Sequence, residues 1–262
     1  MEEALTSLLH QERVRREELE VIVIDGGSSD QTIDILRRFD GQIDYWVSEP
    51  DAGQTAALRK GFRIATGDVL GWLCADDLLT PRTVRSVLDF FGANTHTSFV
   101  YGDAIWVARD GQPDQIKREI PFNWFVWLHD HNYIPQPSAF WRRELYNRVG
   151  GLDSNFDLAM DADLFAKFAL VARPQHVRQI WSLVRRHPEQ KTQRLRSRSD
   201  LEVCLVRERL GVSFENRPLS VAKFVAAKLI RILWKILCGG YAPRTATRKI
   251  WAKEMRCGDL EP

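Results

Sequence analysis

Two adjacent acids, Asp76 and Asp77, follow the apolar segment 69–73 and are the side chains of this sequence best placed for chemistry. Neighbouring carboxylates repel each other unless a cation or a proton lies between them. A hard divalent ion such as Mg²⁺ or Mn²⁺, held by one or two carboxylates and shared with substrate phosphates, removes that repulsion. The alternative interpretation is that Asp77 caps the next helix and Asp76 lies in solvent.

A second candidate group is the Asp-Gly-Gly-Ser-Ser-Asp segment at 25–30. Its two glycines would let the backbone approach a ligand closely, and Asp25 could accept a hydrogen bond from a ribose or a base. The segment does not match the Gly-x-Gly-x-x-Gly pattern of dinucleotide-binding loops. An ordinary turn between a strand and a helix would also explain it.

Two further groups of polar side chains lie later in the chain. Asp161 and Asp163 open a helix, where they could act chemically or could simply stabilise the first turn by facing the helix dipole. In the Arg-Arg-His-Pro segment at 185–188, His187 could bind a metal or contact a phosphate. The same segment could equally be a basic turn in solvent.

Alternating helices and short strands precede the first acids. The predicted order is helix, strand, helix, strand, helix, strand, over residues 2–17, 19–24, 31–39, 43–47, 55–65 and 69–73. Because parallel strands need a crossover element between them, this order predicts an α/β fold with a doubly wound, mostly parallel sheet. Ligands of such sheets bind at the carboxyl ends of the strands, where Asp25, Asp76 and Asp77 lie.

The rest of the chain is predicted to continue the same domain and then to change character. We expect a helix at 81–91, strands at 99–107 and 115–120, an irregular aromatic segment at 122–141, and helices at 142–149 and 161–172. Beyond Pro188 the sequence predicts basic helices that need not belong to the sheet.

Composition excludes several classes of protein. The chain has 262 residues and a formal net charge of only +2, which gives no sign of a nucleic-acid partner. Its four cysteines form no Cys-x-x-Cys pair, which argues against a zinc site or a disulfide framework and favours a reducing, cytoplasmic location. The acidic start does not resemble a signal peptide, and no stretch reaches the ~18 uncharged apolar residues of a spanning helix.

The ordered combination of motifs resembles the family 2 glycosyltransferases of the GT-A fold. Motifs in family order are found at residues 20–32, 48–54 (Ser-Glu-Pro-Asp-Ala-Gly-Gln), 61–62, 65–67, 72–77 (Trp-Leu-Cys-Ala-Asp-Asp), 135–138 (Pro-Gln-Pro-Ser), 150–153 (Gly-Gly-Leu-Asp), 160–164 (Met-Asp-Ala-Asp-Leu) and 186–188. The resemblance implies a GT-A domain over residues 1–192, with flanking helices, and leaves 193–262 as a basic helical extension.

The resemblance also implies an activity and a set of site residues. The enzyme would move a sugar from a nucleotide-sugar donor to an acceptor hydroxyl with inversion and without processivity, in cell-surface polysaccharide or glycolipid synthesis. Asp25 would bind the nucleotide base and Asp76 the ribose, and Asp77, Asp76 and His187 are the candidate ligands of Mg²⁺ or Mn²⁺. Asp161 would be the general base that takes the proton of the acceptor hydroxyl.

Three residues are assigned to the acceptor side: Asp163, which is also the second choice for the base, Gln136 and Trp141. The expected donor is a UDP- or dTDP-sugar, and the expected acceptor is a saccharide or a lipid-linked saccharide. No Gln-x-x-Arg-Trp segment follows the catalytic region, which disfavours a processive polysaccharide synthase.

Two features depart from the family pattern. Cys74 stands where family members often carry Asp or Asn, which would weaken the ribose contact. The chain also starts inside the helix that normally follows a first strand, so we expect that strand to be missing between the strands that end at Asp25 and Leu73. A truncated fragment or a catalytically inactive binding or scaffold protein is therefore an alternative. A nucleotidyltransferase is disfavoured, because the first half of this sequence contains no glycine-rich phosphate loop with a nearby lysine.

The basic extension contains an amphipathic helix at 221–237. Val221, Val225 and Leu229 fall on one broad apolar face, with basic residues at its margin. Such a helix could lie on an anionic membrane surface, which predicts peripheral membrane contact through residues 219–237 at the inner face of the cell membrane. The alternative is that it packs on the catalytic domain with its lysines in water.

Overall fold

The computed structural model describes residues 1–213, 215–241 and 244–255; Cys257 and the end of the predicted extension lie outside the described residues. Two 3₁₀ turns, at Arg16–Glu18 and Gln136–Ser138, accompany the helices. The helices in these ranges are α1 (Glu2–Leu9), α2 (Thr32–Arg38), α3 (Gln54–Ile64), α4 (Thr83–Ala93), α5 (Trp124–His129), α6 (Arg143–Arg148), α7 (Met160–Val171), α8 (Lys191–Arg194), α9 (Arg196–Arg209), α10 (Arg217–Leu237) and α11 (Arg244–Glu254).

The described strands form two sheets. In chain order they are β1 (Ile22–Asp25), β2 (Tyr45–Ser48), β3 (Val69–Leu70), β4 (Leu78–Leu79), β5 (Phe99–Val107), β6 (Pro113–Lys117), β7 (Ala139–Arg142) and β8 (Gln175–Arg185). β1 and β2 pair in parallel, with Asp25 opposite Ser48. The larger sheet has the order β3-β7-β5-β8-β4, and β6 also pairs with β5.

The predicted α/β architecture is confirmed, but the sheet is mixed rather than mostly parallel. β5 and β8 pair in parallel, whereas β5 pairs antiparallel with β6 and β7, as do β3 with β7 and β4 with β8. The difference arises in the second half of the chain, where β5 and β6 form a hairpin, and a hairpin needs no crossover helix. The segment 122–141, predicted to be irregular, contains α5 and most of β7, and β8 was not predicted at all.

The start of the chain lies against the turn that carries the paired acids. The amino group of Met1 donates to the Ala75 carbonyl at 2.7 Å. α1 ends at Leu9 and not near residue 17 as predicted. Beyond it, the Gln11 side chain donates to the Thr80 carbonyl at 2.9 Å and accepts from the Val84 amide, and these long-range contacts compete with continuation of the helix. β1 and β3 belong to different sheets and do not pair with each other in the described part of the chain.

An aromatic core fills the space between the larger sheet and α7. Phe165 and Phe168 of α7 are fully buried and contact Phe99 of β5 and Trp141 of β7. Each such side chain contributes roughly 1.5–3 kcal/mol through burial of apolar surface. This core fixes α7 against the sheet, and the first turn of α7 carries Asp161 and Asp163.

The C-terminal helices pack on the sheet domain through basic residues that point inward. Lys235 of α10 is buried, and its Nζ lies 3.0 Å from Oε2 of the buried Glu119. Arg231 of the same helix pairs with Asp130, which follows α5. The sequence-based alternative of a helix packed with its lysines in water is therefore wrong for Lys235. Among the described residues, no helix is both long enough and apolar enough to cross a bilayer.

Candidate active site

The turn between β3 and β4 places Cys74, Asp76 and Asp77 together. Their ligand atoms all lie within 4.8 Å of one another. Asp77 is buried, and its Oδ1 accepts a hydrogen bond from the Arg185 amide of β8 at 3.0 Å. The alternative that Asp77 caps the next helix is wrong, since α4 begins only at Thr83 and the Asp77 carboxylate faces β8.

The electrostatics of this turn favour a bound cation. Burial, together with the nearby Asp76 carboxylate, raises the pKa of Asp77 to about 7, against the smaller effect of the Arg185 amide. Burial and the two carboxylates raise the pKa of the Cys74 thiol far above its usual range, so Cys74 stays protonated. The available donors are therefore hard carboxylate oxygens, which suit Mg²⁺ or Mn²⁺ and not a soft metal.

His187 lies beside the same acids, as the sequence predicted. Its Nε2 is 3.2 Å from Oδ2 of Asp76, and its Nδ1 is 3.2 Å from Oε2 of Glu189. The side chain of Arg185 lies across the turn, donating from Nε to the Asp76 carbonyl at 3.0 Å and pairing with Glu3. The 185–188 segment is therefore part of the acid site and not a basic turn in solvent.

Asp161 is held close to this turn by the segment 132–136. Asn132 donates from Nδ2 to Oδ2 of Asp161 at 3.0 Å. Four residues later, Gln136 donates from Nε2 to the Trp72 carbonyl at 2.7 Å, and its Oε1 lies 3.6 Å from the Cys74 thiol that donates to it. Burial raises the pKa of Asp161 above its ordinary value, although backbone amides and Asn132 act in the opposite direction.

Two of the predicted acceptor-side residues are placed elsewhere. Asp163 is buried and pairs with Lys167 of its own helix, Nζ to Oδ2 at 2.7 Å, with a guanidinium nitrogen of Arg209 from α9 at 3.9 Å. Trp141 is 0% exposed in the aromatic core, so the assignment of Trp141 to a stacking wall for the acceptor is wrong. Aromatic composition does not distinguish core from surface, and β7 turns this side chain toward α7.

Asp25, at the end of β1, forms a separate polar cluster. Its carboxylate accepts from the Gly27 and Ser28 amides and from the hydroxyls of Ser28 and Ser48 at 2.5 and 2.6 Å. Burial raises the pKa of Asp25, but these hydrogen bonds outweigh it and hold the pKa below the ordinary value. In the described part of the chain, no hydrogen bond or ion pair connects Asp25 directly with Asp76 or Asp77.

The loop before α3 connects the Asp25 cluster to the acid turn. A Cβ added to Gly26 would lie 2.7 Å from Oδ2 of Asp51, so a larger residue here would displace the Asp51 side chain. At the other end of the loop, Gln54 donates from Nε2 toward the Cys74 sulfur at 3.4 Å. The loop 51–54 therefore contacts both the Asp25 cluster and the acid turn.

Four site residues were missed or only partly recognised from the sequence. Gln54 and Arg185 stood inside recognised motifs, but nothing marked their side chains as contacts of the acid turn. Asn132 lay in the segment predicted to be irregular, and no pattern there indicated a partner for Asp161. Lys191 of α8 pairs with Asp157 at 2.6 Å, a contact between segments 34 residues apart that no local pattern predicts.

Comparison with known sequences identifies relatives over the region that carries the site. The family model described as Glycosyl transferase family 2 matches residues 1–150. An uncharacterised glycosyltransferase of Mycobacterium tuberculosis is 31% identical over 164 residues, which are 62% of this chain and 62% of the relative. A glycosyltransferase of Mycobacterium bovis named for PGL/p-HBAD biosynthesis is 30% identical over 173 residues, 61% of this chain and 63% of the relative. The chain thus spans less than two thirds of the length of these relatives.

Solved structures with the same fold include two that hold nucleotides. S. aureus TarS in complex with UDP superposes with a TM-score of 0.61 and 20% identity, over 85% of this chain and 66% of that chain. The mannosyltransferase PcManGT from Pyrobaculum calidifontis, in complex with GDP-Man and Mn²⁺, superposes with a TM-score of 0.59 and 18% identity, over 96% and 75% of the two chains. These similarities confirm the GT-A fold, and because the family model matches more than half of the sequence, the chain belongs to glycosyltransferase family 2.

Proposed function

We propose that this chain transfers a sugar from a nucleotide-sugar donor to an acceptor hydroxyl, with inversion at the sugar carbon. The observation that carries the proposal is that one short segment, 132–136, contacts both Asp161 and the turn of the paired acids, where the charge of Asp161 also acts on Cys74. A glycosyl transfer needs positive charge near the departing diphosphate, which a cation at the acid turn would supply, and a nearby group that takes the proton of the acceptor, which Asp161 would supply.

The donor side of the proposal rests on Asp25 and Asp76. The Asp25 carboxylate is ionised and lies at the end of a parallel strand, where a nucleotide base could donate a hydrogen bond to it. Asp76 is the more exposed acid of the turn and is assigned to the ribose. The fold neighbours hold UDP or GDP-Man, which supports a nucleoside diphosphate sugar, and we favour a UDP- or dTDP-sugar.

Asp77 and Asp76 would hold Mg²⁺ or Mn²⁺, with the His187 ring at 3.2 Å from Asp76 as a third candidate ligand. When bound, the ion would supply positive charge to the diphosphate leaving group. The fit rests on the chemistry of the turn, because burial and the adjacent Asp76 carboxylate raise the pKa of Asp77 to about 7, and a cation bound between the two acids would remove their repulsion.

Asp161 would take the proton from the acceptor hydroxyl. Its raised pKa brings a carboxylate closer to the pH at which proton transfer is efficient. Asn132 fixes the orientation of the carboxylate by its hydrogen bond to Oδ2. The M. bovis relative is named for a glycolipid, which supports a saccharide or lipid-linked saccharide acceptor.

The test combines donor binding with turnover. The chain is incubated with UDP-, dTDP- and GDP-sugars in the presence of Mn²⁺, and release of nucleoside diphosphate and calorimetric binding are both measured. Asp161→Asn should retain donor binding and lose about 10²- to 10⁴-fold in turnover, whereas Asp163→Asn is the matched control on the same helix turn. Donor binding without turnover in the native chain would support the inactive binding protein instead, and no binding at all would refute the proposal.

A further inference from the structure

The outward side of α10 exposes a continuous apolar strip. Its members recur every three or four residues, so they project from one side of the helix, and each is between 47% and 61% exposed. The strip, here called the outer face, consists of Val221, Val225, Leu229, Leu233 and Ile236. An exposed apolar strip of this size on a surface helix marks a place where a partner binds.

The opposite side of α10 fixes this orientation. Ala227 is fully buried, Ile230 packs against the main core, and Arg231 and Lys235 pair with the buried acids Asp130 and Glu119. A rotation that buried the outer face would separate both acids from these bases and leave Glu119 with Lys117 and Asp130 with His131 as their other partners. The helix is therefore held with its aliphatic side toward the outside.

The charge of the helix indicates which partner covers the outer face. Between Arg217 and Leu237 the sequence contains basic residues but no Asp or Glu: Arg217, Lys223, Lys228, Arg231 and Lys235. A second copy of the chain would bring two such helices together with like charges and no acid between them on either helix. Arg231 and Lys235 are turned inward to Asp130 and Glu119, so the exposed bases of the helix are Arg217 and Lys228. An anionic bilayer has the charge opposite to theirs and attracts basic residues near its surface.

The surroundings of the helix fit the same partner. Lys228 is exposed at the edge of the outer face, with its Nζ 5.6 Å from the ring of Phe224. Tyr241 is exposed beyond the C-terminal end of the helix, and aromatic rings with one polar atom favour the boundary between headgroups and acyl chains. The five basic residues exclude a spanning orientation, so the helix would lie in the plane of the interface.

We propose that the outer face of α10 binds the surface of an anionic phospholipid bilayer. The aliphatic strip would enter the boundary of the acyl chains, while Arg217 and Lys228 contact the headgroups. This surface is separate from the acid turn, so the proposal does not depend on the chemistry of the active site.

Flotation of the full chain with vesicles tests the proposal. We expect the native chain to float with vesicles of phosphatidylcholine and phosphatidylglycerol but not with phosphatidylcholine alone, and to be released by salt. Leu229→Ser with Leu233→Ser should weaken binding about tenfold or more, because both side chains are already exposed in the fold and lose only membrane contact. Leu201→Ser with Leu205→Ser on α9 is the matched control, with the same residue types, spacing and exposure.

Three outcomes would overturn the proposal. The native chain would fail to float with anionic vesicles, or the outer-face variant would float as well as the native chain, or the α9 control would lose binding to the same extent. Analytical ultracentrifugation of the same proteins tests the remaining alternative, which is that a second copy of the chain covers the outer face. A native dimer that the outer-face variant converts to a monomer, without vesicle binding, would assign the strip to a second copy. Thermal unfolding of each variant confirms that the fold is retained.

Discussion

The raised pKa of Asp77 predicts that replacing this acid by asparagine stabilises the metal-free protein at neutral pH. The unfolded chain releases the Asp77 proton near the ordinary 3.8, whereas the folded chain keeps it to about pH 7. Between these values the folded state binds the extra proton, so the free energy of unfolding falls as the pH rises. Asparagine removes this loss, and its side-chain oxygen can still accept the Arg185 amide.

The magnitude follows from the difference between the two pKa values. About three pH units at about 1.4 kcal/mol each correspond to about 4 kcal/mol at pH 8, and water that enters the site makes this an upper bound. A usual total stability is ~5–15 kcal/mol, so the effect is large enough to measure by urea unfolding. Asp77→Asn and the native chain should have similar stability at pH 4 and diverge steadily up to pH 7.

Metal and a matched variant complete the assay. Mn²⁺ at about 100 times its dissociation constant should stabilise the native chain by about 2.7 kcal/mol and leave Asp77→Asn unchanged. Asp68→Asn, a change of the same type at a side chain 93% exposed, is the control and should follow the native chain. Parallel pH profiles for the native chain and Asp77→Asn would refute the reasoning, because they would mean that Asp77 ionises normally in the folded state.

The other predictions concern the base, the glycine beside the loop, and the buried ion pair. The acidic limb of kcat/KM against pH should lie above the ordinary carboxyl range, because the proposed base Asp161 must be ionised and burial raises its pKa. Asn132→Ala removes a hydrogen bond to the Asp161 carboxylate and should move that limb to still higher pH. A limb that does not move in this variant would contradict the assignment of Asp161. Gly26→Ala should weaken nucleotide binding, measured by calorimetry, more than it lowers the temperature of thermal unfolding, because the added Cβ would meet the Asp51 carboxylate at 2.7 Å. Native-like affinity would show that nucleotide binding does not depend on the close contact between Gly26 and Asp51. Lys235→Met should lower the free energy of unfolding by about 1–3 kcal/mol, because the buried Glu119 keeps only Lys117, whose Nζ lies 3.4 Å from Oε1. An unchanged free energy of unfolding would mean that Lys117 alone compensates the charge of Glu119.

The position of the paired acids after a strand was predictable because the signal for it is local. The strand-end acids Asp25, Asp76 and Asp77 follow short apolar segments, and the alternation of helix and strand before them is a pattern that a sequence displays directly. His187 was also placed with Asp76, although the two lie 111 residues apart, only because the family resemblance assigned both to one site.

The remaining differences depend on contacts between distant segments. β8 is mostly polar at its start, and the apolar residues near its end are interrupted by Ser182, so it shows no alternation, and its pairing with β5 decides its structure. The spacing of α10 placed Arg231 and Lys235 at the edge of an apolar face. It could not show that Asp130 and Glu119, about 100 residues earlier, would turn those bases inward.

Asp130 has a consequence for how this chain can be divided. It pairs with Arg231 of α10, its carbonyl accepts from Arg207 of α9 at 2.7 Å, and two residues later Asn132 holds Asp161. Cutting the chain at the boundary expected near residue 192 would remove both arginines and release the loop that holds Asp161, the proposed base. The C-terminal helices thus support this loop, and an exchange of the extension between relatives would have to preserve those two arginines.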